Sequence, residues 1–142
     1  MLGCRAFKGC GRTHYIRREH AMTIDAQTRV LFIEDEPELQ RAYGRYFRSR
    51  CDMAFAGNGV EVAPRLEGFD SDVVVLDMRL PDTDGIEVMR RLRDLRPDIP
   101  IVITTAYLSV EPTVAILGLR HQGYLLKPFS MEDLAHLIDD AA

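Results

Sequence analysis

From residue 28 onward the sequence alternates between two hydrophobic periods, and this alternation constrains the fold more than any other feature. Short runs of bulky and β-branched residues, clearest at 30–33 and 73–76, have the composition of strands that are buried on both faces. Between such runs apolar residues recur every three or four positions, as Ile86, Met89 and Leu92 do. Strands that alternate with helices predict a parallel sheet whose helices cover both faces.

The pattern yields five strands, each followed by a helix. We therefore expect an α/β fold, a doubly wound five-stranded parallel sheet of the flavodoxin-like type. Pro64 falls inside the expected second helix, which should begin late or kink there because proline removes a helical hydrogen bond. Ser130 with Asp133 resembles a capping box and should start the last helix. The predicted strands are 30–33, 51–55, 73–76, 99–103 and 124–126.

Charge divides the 142 residues into two parts. Residues 1–22 hold five basic residues and one acidic residue, a net charge of +4, so the remainder carries −8 of the total of −4. We expect residues 1–27 to be a basic, disordered extension and residues 28–142 to fold as one domain. No apolar run is long enough to cross a bilayer, and the N-terminus has no apolar signal core. With three cysteines, an odd number, this favours the cytoplasm.

Polar residues that suit a binding site follow four of the five predicted strands. In open parallel sheets, ligands bind outside the carboxyl ends of the strands, so these side chains should converge. The residues are Glu34, Asp35 and Glu36 after the first strand, Asp77 after the third, Thr104 and Thr105 after the fourth, and Lys127 after the fifth.

The expected cluster of carboxylates needs a positive partner. Two carboxylates about 4 Å apart repel by roughly 4 kcal/mol at an effective dielectric constant near 20, so a cation or a protonated member is required. Mg²⁺ together with Lys127 would neutralise Glu34, Asp35 and Asp77 and would also bind phosphate oxygens. A carboxylate can itself attack phosphorus, and Asp77 is the best candidate because it ends the most apolar strand. By chemistry alone, Thr104 and Thr105 are equally suitable hydroxyl donors.

Four segments in this order resemble the landmarks of response-regulator receiver domains, including the chemotaxis-regulator type. The resemblance covers about residues 28–140, and its segments occur at the family's spacing. They are 33–37 (IEDEP), 75–85 (VLDMRLPDTDG), 105–106 (TA) and 124–129 (YLLKPF).

The resemblance implies a function in two-component signalling. Asp77 would accept a phosphoryl group from a sensor histidine kinase or a phosphotransfer protein. Thr105 and Lys127 would contact that group, and Tyr124 would turn inward as Thr105 moves. The domain would catalyse its own phosphorylation and dephosphorylation without being an enzyme for an external substrate. Mg²⁺ would be held by Glu34, Asp35, Asp77 and the backbone carbonyl of Arg79.

The predicted fourth helix, 110–119, is unusually apolar. Its Val114, Ile116, Leu117 and Leu119 indicate either deeper core packing or a docking face. In the family, a face made of the fourth helix, the fifth strand and the fifth helix binds a downstream protein target or a second copy. We expect such protein partners, and neither nucleic acid nor membrane.

Three other functions fit the sequence less well. Residues 82–85 (DTDG) resemble a haloacid-dehalogenase phosphatase motif, but Pro81 and a loop separate them from the strand end. A receiver that only binds a partner would not need the intact acidic cluster. Nucleic-acid binding through the basic tail is disfavoured by the charge of −8 on the body. A further hypothesis is that the bulky Arg79 and Tyr107 flank the phosphoryl group and slow its hydrolysis.

Overall fold

The computed structural model describes residues 24–142 and contains one five-stranded parallel sheet. The strands are β1 (Arg29–Ile33), β2 (Asp52–Ala56), β3 (Val73–Asp77), β4 (Ile101–Thr105) and β5 (Gly123–Leu126). The helices are α1 (Pro37–Phe47), α2 (Val62–Gly68), α3 (Gly85–Leu95), α4 (Val110–Ile116) and α5 (Met131–Ala141). The strand order is β2-β1-β3-β4-β5, so the predicted doubly wound α/β fold is confirmed.

The two faces of the sheet bury different kinds of side chain. Because side chains alternate along a strand, Leu31 and Ile33 pack with α2, α3 and α4 in an aliphatic cluster. Phe32 instead points to the α1 and α5 side, where it stacks on Tyr43 at 4.7 Å between ring centroids. β3 lies in the middle, and all five of its residues are buried. Asp77 therefore stands at the centre of the sheet's carboxyl edge.

Helix boundaries agree with the sequence where local chemistry sets them. α2 begins at Val62, which puts Pro64 in the first turn, where no helical N–H bond is lost. The predicted late start of this helix is thus confirmed. The Ser130 hydroxyl accepts a hydrogen bond from the Asp133 amide at 3.1 Å, as expected for a capping residue.

Each predicted strand differs from the observed strand by one or two residues at one or both ends, and the end of α4 differs by three residues. The second strand lies one residue later than predicted, and the fourth lies two residues later. α4 ends at Ile116 rather than at residue 119, because the chain turns at Gly118, whose φ of 68° lies in the left-handed region that glycine adopts readily.

The structure describes only part of the predicted N-terminal extension. The predicted disordered extension covers residues 1–27, and its residues 1–23 lie outside the described residues. The side chain of Ile24 is 9% exposed and packs in the same hydrophobic cluster as Phe32 and Tyr43. Among the described helices, none is both long enough and apolar enough to cross a membrane.

Candidate functional site

Lys127 joins the ends of three strands at the carboxyl edge of the sheet. Parallel register places the residues after β1 and β3 side by side, and the long Lys127 side chain reaches them from β5, across the end of β4. The Lys127 Nζ atom lies 3.1 Å from Asp77 Oδ2, 3.2 Å from Glu34 Oε2 and 3.3 Å from Glu36 Oε1. The predicted convergence of Glu34, Asp77 and Lys127 is therefore present.

Two of these carboxyl groups are almost inaccessible to solvent. Glu34 is 1% exposed and Asp77 is 3% exposed. Burial, followed by the charge of Asp77, raises the pKa of Glu34 to about 8. Burial lowers the pKa of Lys127, but the carboxylates of Asp77 and Glu34 outweigh burial and the net shift is upward. Near pH 7 Glu34 therefore holds a proton in the absence of a cation, while Lys127 remains charged and pairs mainly with Asp77.

The acidic cluster differs in one member from the expected set. Carboxylate oxygens of Glu34, Glu36 and Asp77 lie within 4.8 Å of one another. The expected third carboxylate, Asp35, is exposed and instead lines the adjoining cleft. Hard oxygen donors at this spacing, with an excess of negative charge, suit a divalent cation such as Mg²⁺. The donor set thus fits the cofactor that the sequence predicts.

A cleft of about 260 Å³ opens beside this cluster. Most of its lining comes from the segments that follow β1, β3, β4 and β5. The residues that line it are Asp35, Glu36, Asp77, Arg79, Leu80, Pro81, Ala106, Tyr107 and Lys127. Arg79 and Tyr107 lie at this cleft, as their sequence positions predict.

Arg79 is connected to both sides of the cleft. Its amide donates to Asp77 Oδ1 at 3.1 Å, and its guanidinium Nη1 donates to the Tyr107 hydroxyl at 2.6 Å. The Tyr107 carbonyl accepts a hydrogen bond from the Tyr124 hydroxyl at 2.8 Å. A chain of hydrogen bonds therefore runs from Asp77 through Arg79 and Tyr107 to Tyr124. Sequence reasoning identified all four residues but not this connection, because side-chain contacts between loops leave no local pattern.

The two threonines at the end of β4 have different surroundings, and neither lines the cleft. Thr104 lies opposite Asp77 in the register of β3 and β4, and its hydroxyl is buried without a hydrogen-bond partner among the described residues. The Thr105 hydroxyl accepts a hydrogen bond from the Tyr107 amide at 3.1 Å. Thr105 thus holds the start of the loop that carries Tyr107.

The acids of the 82–85 segment serve other purposes than a phosphatase nucleophile would. Asp84 caps α3 by accepting a hydrogen bond from the Glu87 amide at 2.9 Å. Asp82 is exposed and accepts backbone hydrogen bonds from another loop. The carboxylate that ends β3, next to Lys127, is Asp77.

Comparison with known proteins agrees with this geometry. The family model "Response regulator receiver domain" matches residues 30–139. Two Mycobacterium tuberculosis relatives are the probable transcriptional regulatory protein TcrX, 35% identical over 106 residues, and the transcriptional regulatory protein TrcR, 36% identical over 107 residues. These alignments cover 74% and 75% of this chain but 45% and 42% of the relatives, so the chain spans less than half the length of either.

Solved structures show the same fold. The receiver domain of Francisella response regulator 1452 superposes with a TM-score of 0.71 at 27% identity, over 81% of this chain and 96% of that one. Vibrio cholerae chemotaxis response regulator CheY4 gives a TM-score of 0.73 at 21% identity, over 82% of this chain and 99% of that one.

Proposed function

The chain belongs to the family of response regulator receiver domains, and on that premise we propose that it takes a phosphoryl group onto Asp77 in a Mg²⁺-dependent reaction. The observation that supports the proposal most strongly is the contact of one lysine ammonium with buried carboxylates from two strand ends. The donor would be a sensor histidine kinase or a phosphotransfer protein, and the cytoplasm would be the site of the reaction.

The residues around the cleft divide the work of holding a cation. Asp77, Glu34 and either Glu36 or Asp35 would supply carboxylate oxygens, and the Arg79 carbonyl would supply a backbone ligand. When bound, Mg²⁺ would neutralise negative charge on the carboxylates and on phosphoryl oxygens. Binding requires Glu34 to release the proton that burial favours. We therefore expect the cation and a proton to compete for this site.

Phosphoryl transfer to Asp77 exchanges one bond to phosphorus for another. The N–P bond of the donor phosphohistidine breaks as a bond forms between a carboxylate oxygen of Asp77 and phosphorus. The electron pair of the broken bond stays on the imidazole, which then takes up a proton from solvent. Lys127 lies close enough to Asp77 to neutralise an oxygen of the incoming group. Thr105 would contact another oxygen once the loop that it holds moves.

We further propose that the face formed by α4, β5 and α5 binds protein partners in the phosphorylated state. Core packing accounts for only part of the apolar character of α4: Val114 is fully buried, whereas Leu117 is 42% exposed. Leu108 and Leu126 are also exposed. Tyr107 and Tyr124 connect this face to Arg79 at the cleft, so a change at Asp77 has a physical route to it. A downstream protein is the proposed target, and a second copy would appear as a mass increase in sedimentation.

Incubation with acetyl phosphate and Mg²⁺, followed by intact-mass measurement, tests the phosphoacceptor function. We expect the wild type to gain the mass of one phosphoryl group, and Asp77→Asn to gain none. Asp72→Asn is the control, because it makes the same chemical change at the opposite edge of the sheet, where Asp72 is exposed and accepts a hydrogen bond from the Arg29 amide. Phosphorylation of Asp77→Asn at the wild-type level would contradict the assignment.

A further inference from the structure

Asp82 connects the loop after β3 to the loop after β2. Its Oδ1 accepts a hydrogen bond from the Gly59 amide at 2.7 Å, and its Oδ2 accepts one from the Val60 amide at 3.1 Å. The hydrogen bond from Gly59 is the main cause of a lowered pKa at Asp82. Two backbone donors on one carboxylate fix its orientation more firmly than a flexible surface ion pair would.

The segment that ends at Asp82 forms one wall of the cleft. Arg79, Leu80 and Pro81 line that wall. The base of the loop is closed by a bridge between Arg79 and Asp84 and by a hydrogen bond from the Gly85 amide to the Met78 carbonyl at 2.9 Å. The tip of the loop is held by Asp82. The wall of the cleft therefore has two attachments, one within its own loop and one to the loop after β2.

Glycine at position 59 lets the two loops approach each other without a steric clash. A Cβ atom on Gly59 would lie 2.4 Å from Thr83 Cγ2 and 3.3 Å from Asp82 Oδ1. The φ angle of Gly59 is not in the left-handed region, so backbone conformation does not explain the glycine. The two loops approach each other as closely as they do because Gly59 has no side chain.

We propose that Asp82 is a positioning residue: by binding the Gly59 and Val60 amides, its carboxylate holds the loop that carries Arg79 in place for cation binding at Asp77. The inference rests on the proposed function, since that function gives the Arg79 carbonyl its role. Asp82 itself does not touch the acidic cluster through any contact of the described residues. Its effect is exerted through the loop, as that of residues which orient metal ligands is.

Two measurements on Asp82→Asn and Asp82→Ala test the proposal without any phosphodonor. Mg²⁺ alone, titrated by calorimetry, should bind about tenfold more weakly to either variant than to the wild type. Deuterium uptake should rise in peptides that cover 57–60 and 78–82. Asp72→Asn is again the matched control, because Asp72 also joins two segments through a backbone amide, at 2.9 Å, but at the opposite edge. It should change neither the affinity nor the uptake in those peptides.

A steric variant tests the attachment from its other side. Gly59→Ala should weaken Mg²⁺ binding and raise deuterium uptake in both loops. Thr83→Ser removes the methyl group that the new Cβ would meet, so adding it to Gly59→Ala should restore most of the affinity. Thr83→Ser alone should behave as the wild type does. Recovery in the double variant would show that the clash with Thr83 causes the loss, and no recovery would contradict that steric explanation.

The outcomes separate this inference from the proposed function. If the wild type neither binds Mg²⁺ nor accepts a phosphoryl group, the proposed function fails, and with it the role assigned to Asp82, even if deuterium uptake shows that the loops are joined. If the wild type does both and Asp82→Ala has wild-type affinity and uptake, only the positioning role is overturned. Equal losses in Asp82→Asn and Asp72→Asn would also overturn it.

Discussion

The amino and carboxyl edges of the sheet differ in how their charged side chains are paired. At the amino edge, where the strands begin, charges are paired and exposed: Arg96 meets Asp70 at 3.3 Å, and Arg120 meets Asp98 at 3.5 Å. At the carboxyl edge one ammonium group, that of Lys127, serves three carboxyl groups. The amino edge joins segments at little electrostatic cost. The carboxyl edge has an excess of negative charge that does not stabilise the fold. Such an excess is typical of a site that binds a cation.

Removing one basic side chain at each edge should give the largest difference in stability between the two edges. In EDTA, Lys127→Met should lower the free energy of unfolding by about 1–3 kcal/mol, because the buried Asp77 carboxylate loses its counter-ion. Arg96→Met should cost no more than about 1 kcal/mol, since its partner Asp70 is exposed. Urea unfolding of both variants measures the difference. Equal losses would show that burial does not distinguish the two edges.

The second prediction concerns the dependence of stability on pH at the carboxyl edge. In the folded state the pKa of Glu34 is raised from its usual value near 4.5 to about 8. Between these values the folded state binds a proton at Glu34 that the unfolded state does not, so the contribution of Glu34 to stability should be greatest below the lower value and should be lost as pH rises through about 8. Urea unfolding in EDTA between pH 5 and pH 8.5 checks the direction.

Two variants isolate the contribution of Glu34 to that pH dependence. Glu34→Gln should flatten the fall, because its amide does not titrate, whereas Glu67→Gln on the exposed surface of α2 should leave it unchanged. Added Mg²⁺ should restore wild-type stability at the high-pH end by favouring ionised carboxylates. The same pH dependence in the wild type and in Glu34→Gln would contradict the raised pKa.

Most of the residues at the carboxyl edge could be predicted from the sequence, because the topology of the sheet places them there. Once five strands alternate with helices, parallel register brings the residues after β1 and β3 together, and the long Lys127 side chain reaches Glu34 and Asp77 from β5. Contacts between loops have no such periodic origin. The bond from Arg79 to Tyr107 and the attachment of Asp82 to Gly59 depend on side-chain rotamers and loop paths. For the same reason, the sequence did not predict that Glu36, rather than Asp35, lies beside Lys127.

The third prediction extends the comparison to the wall of the cleft. Arg79→Ala should shorten the lifetime of the acyl phosphate on Asp77 about fivefold, or about 1 kcal/mol in barrier, because the guanidinium bonded to Tyr107 restricts the approach of water. Decay of the phosphorylated mass in EDTA measures the lifetime. Arg90→Ala, an exposed arginine on α3, is the control and should leave it unchanged. An unchanged lifetime in Arg79→Ala would remove the shielding role.

The smallest expected effects concern the contributions of two neighbouring threonine hydroxyl groups to stability. The Thr104 hydroxyl is buried without a hydrogen-bond partner among the described residues, so Thr104→Val should stabilise the fold by about 0.5–1 kcal/mol. The Thr105 hydroxyl accepts the Tyr107 amide, so Thr105→Val should destabilise it by about 0.5–1.5 kcal/mol. Both changes conserve volume, so urea unfolding compares the hydroxyls directly. Opposite signs would show that only the Thr105 hydroxyl supports the loop after β4, whereas equal signs would contradict this difference between the two hydroxyl groups.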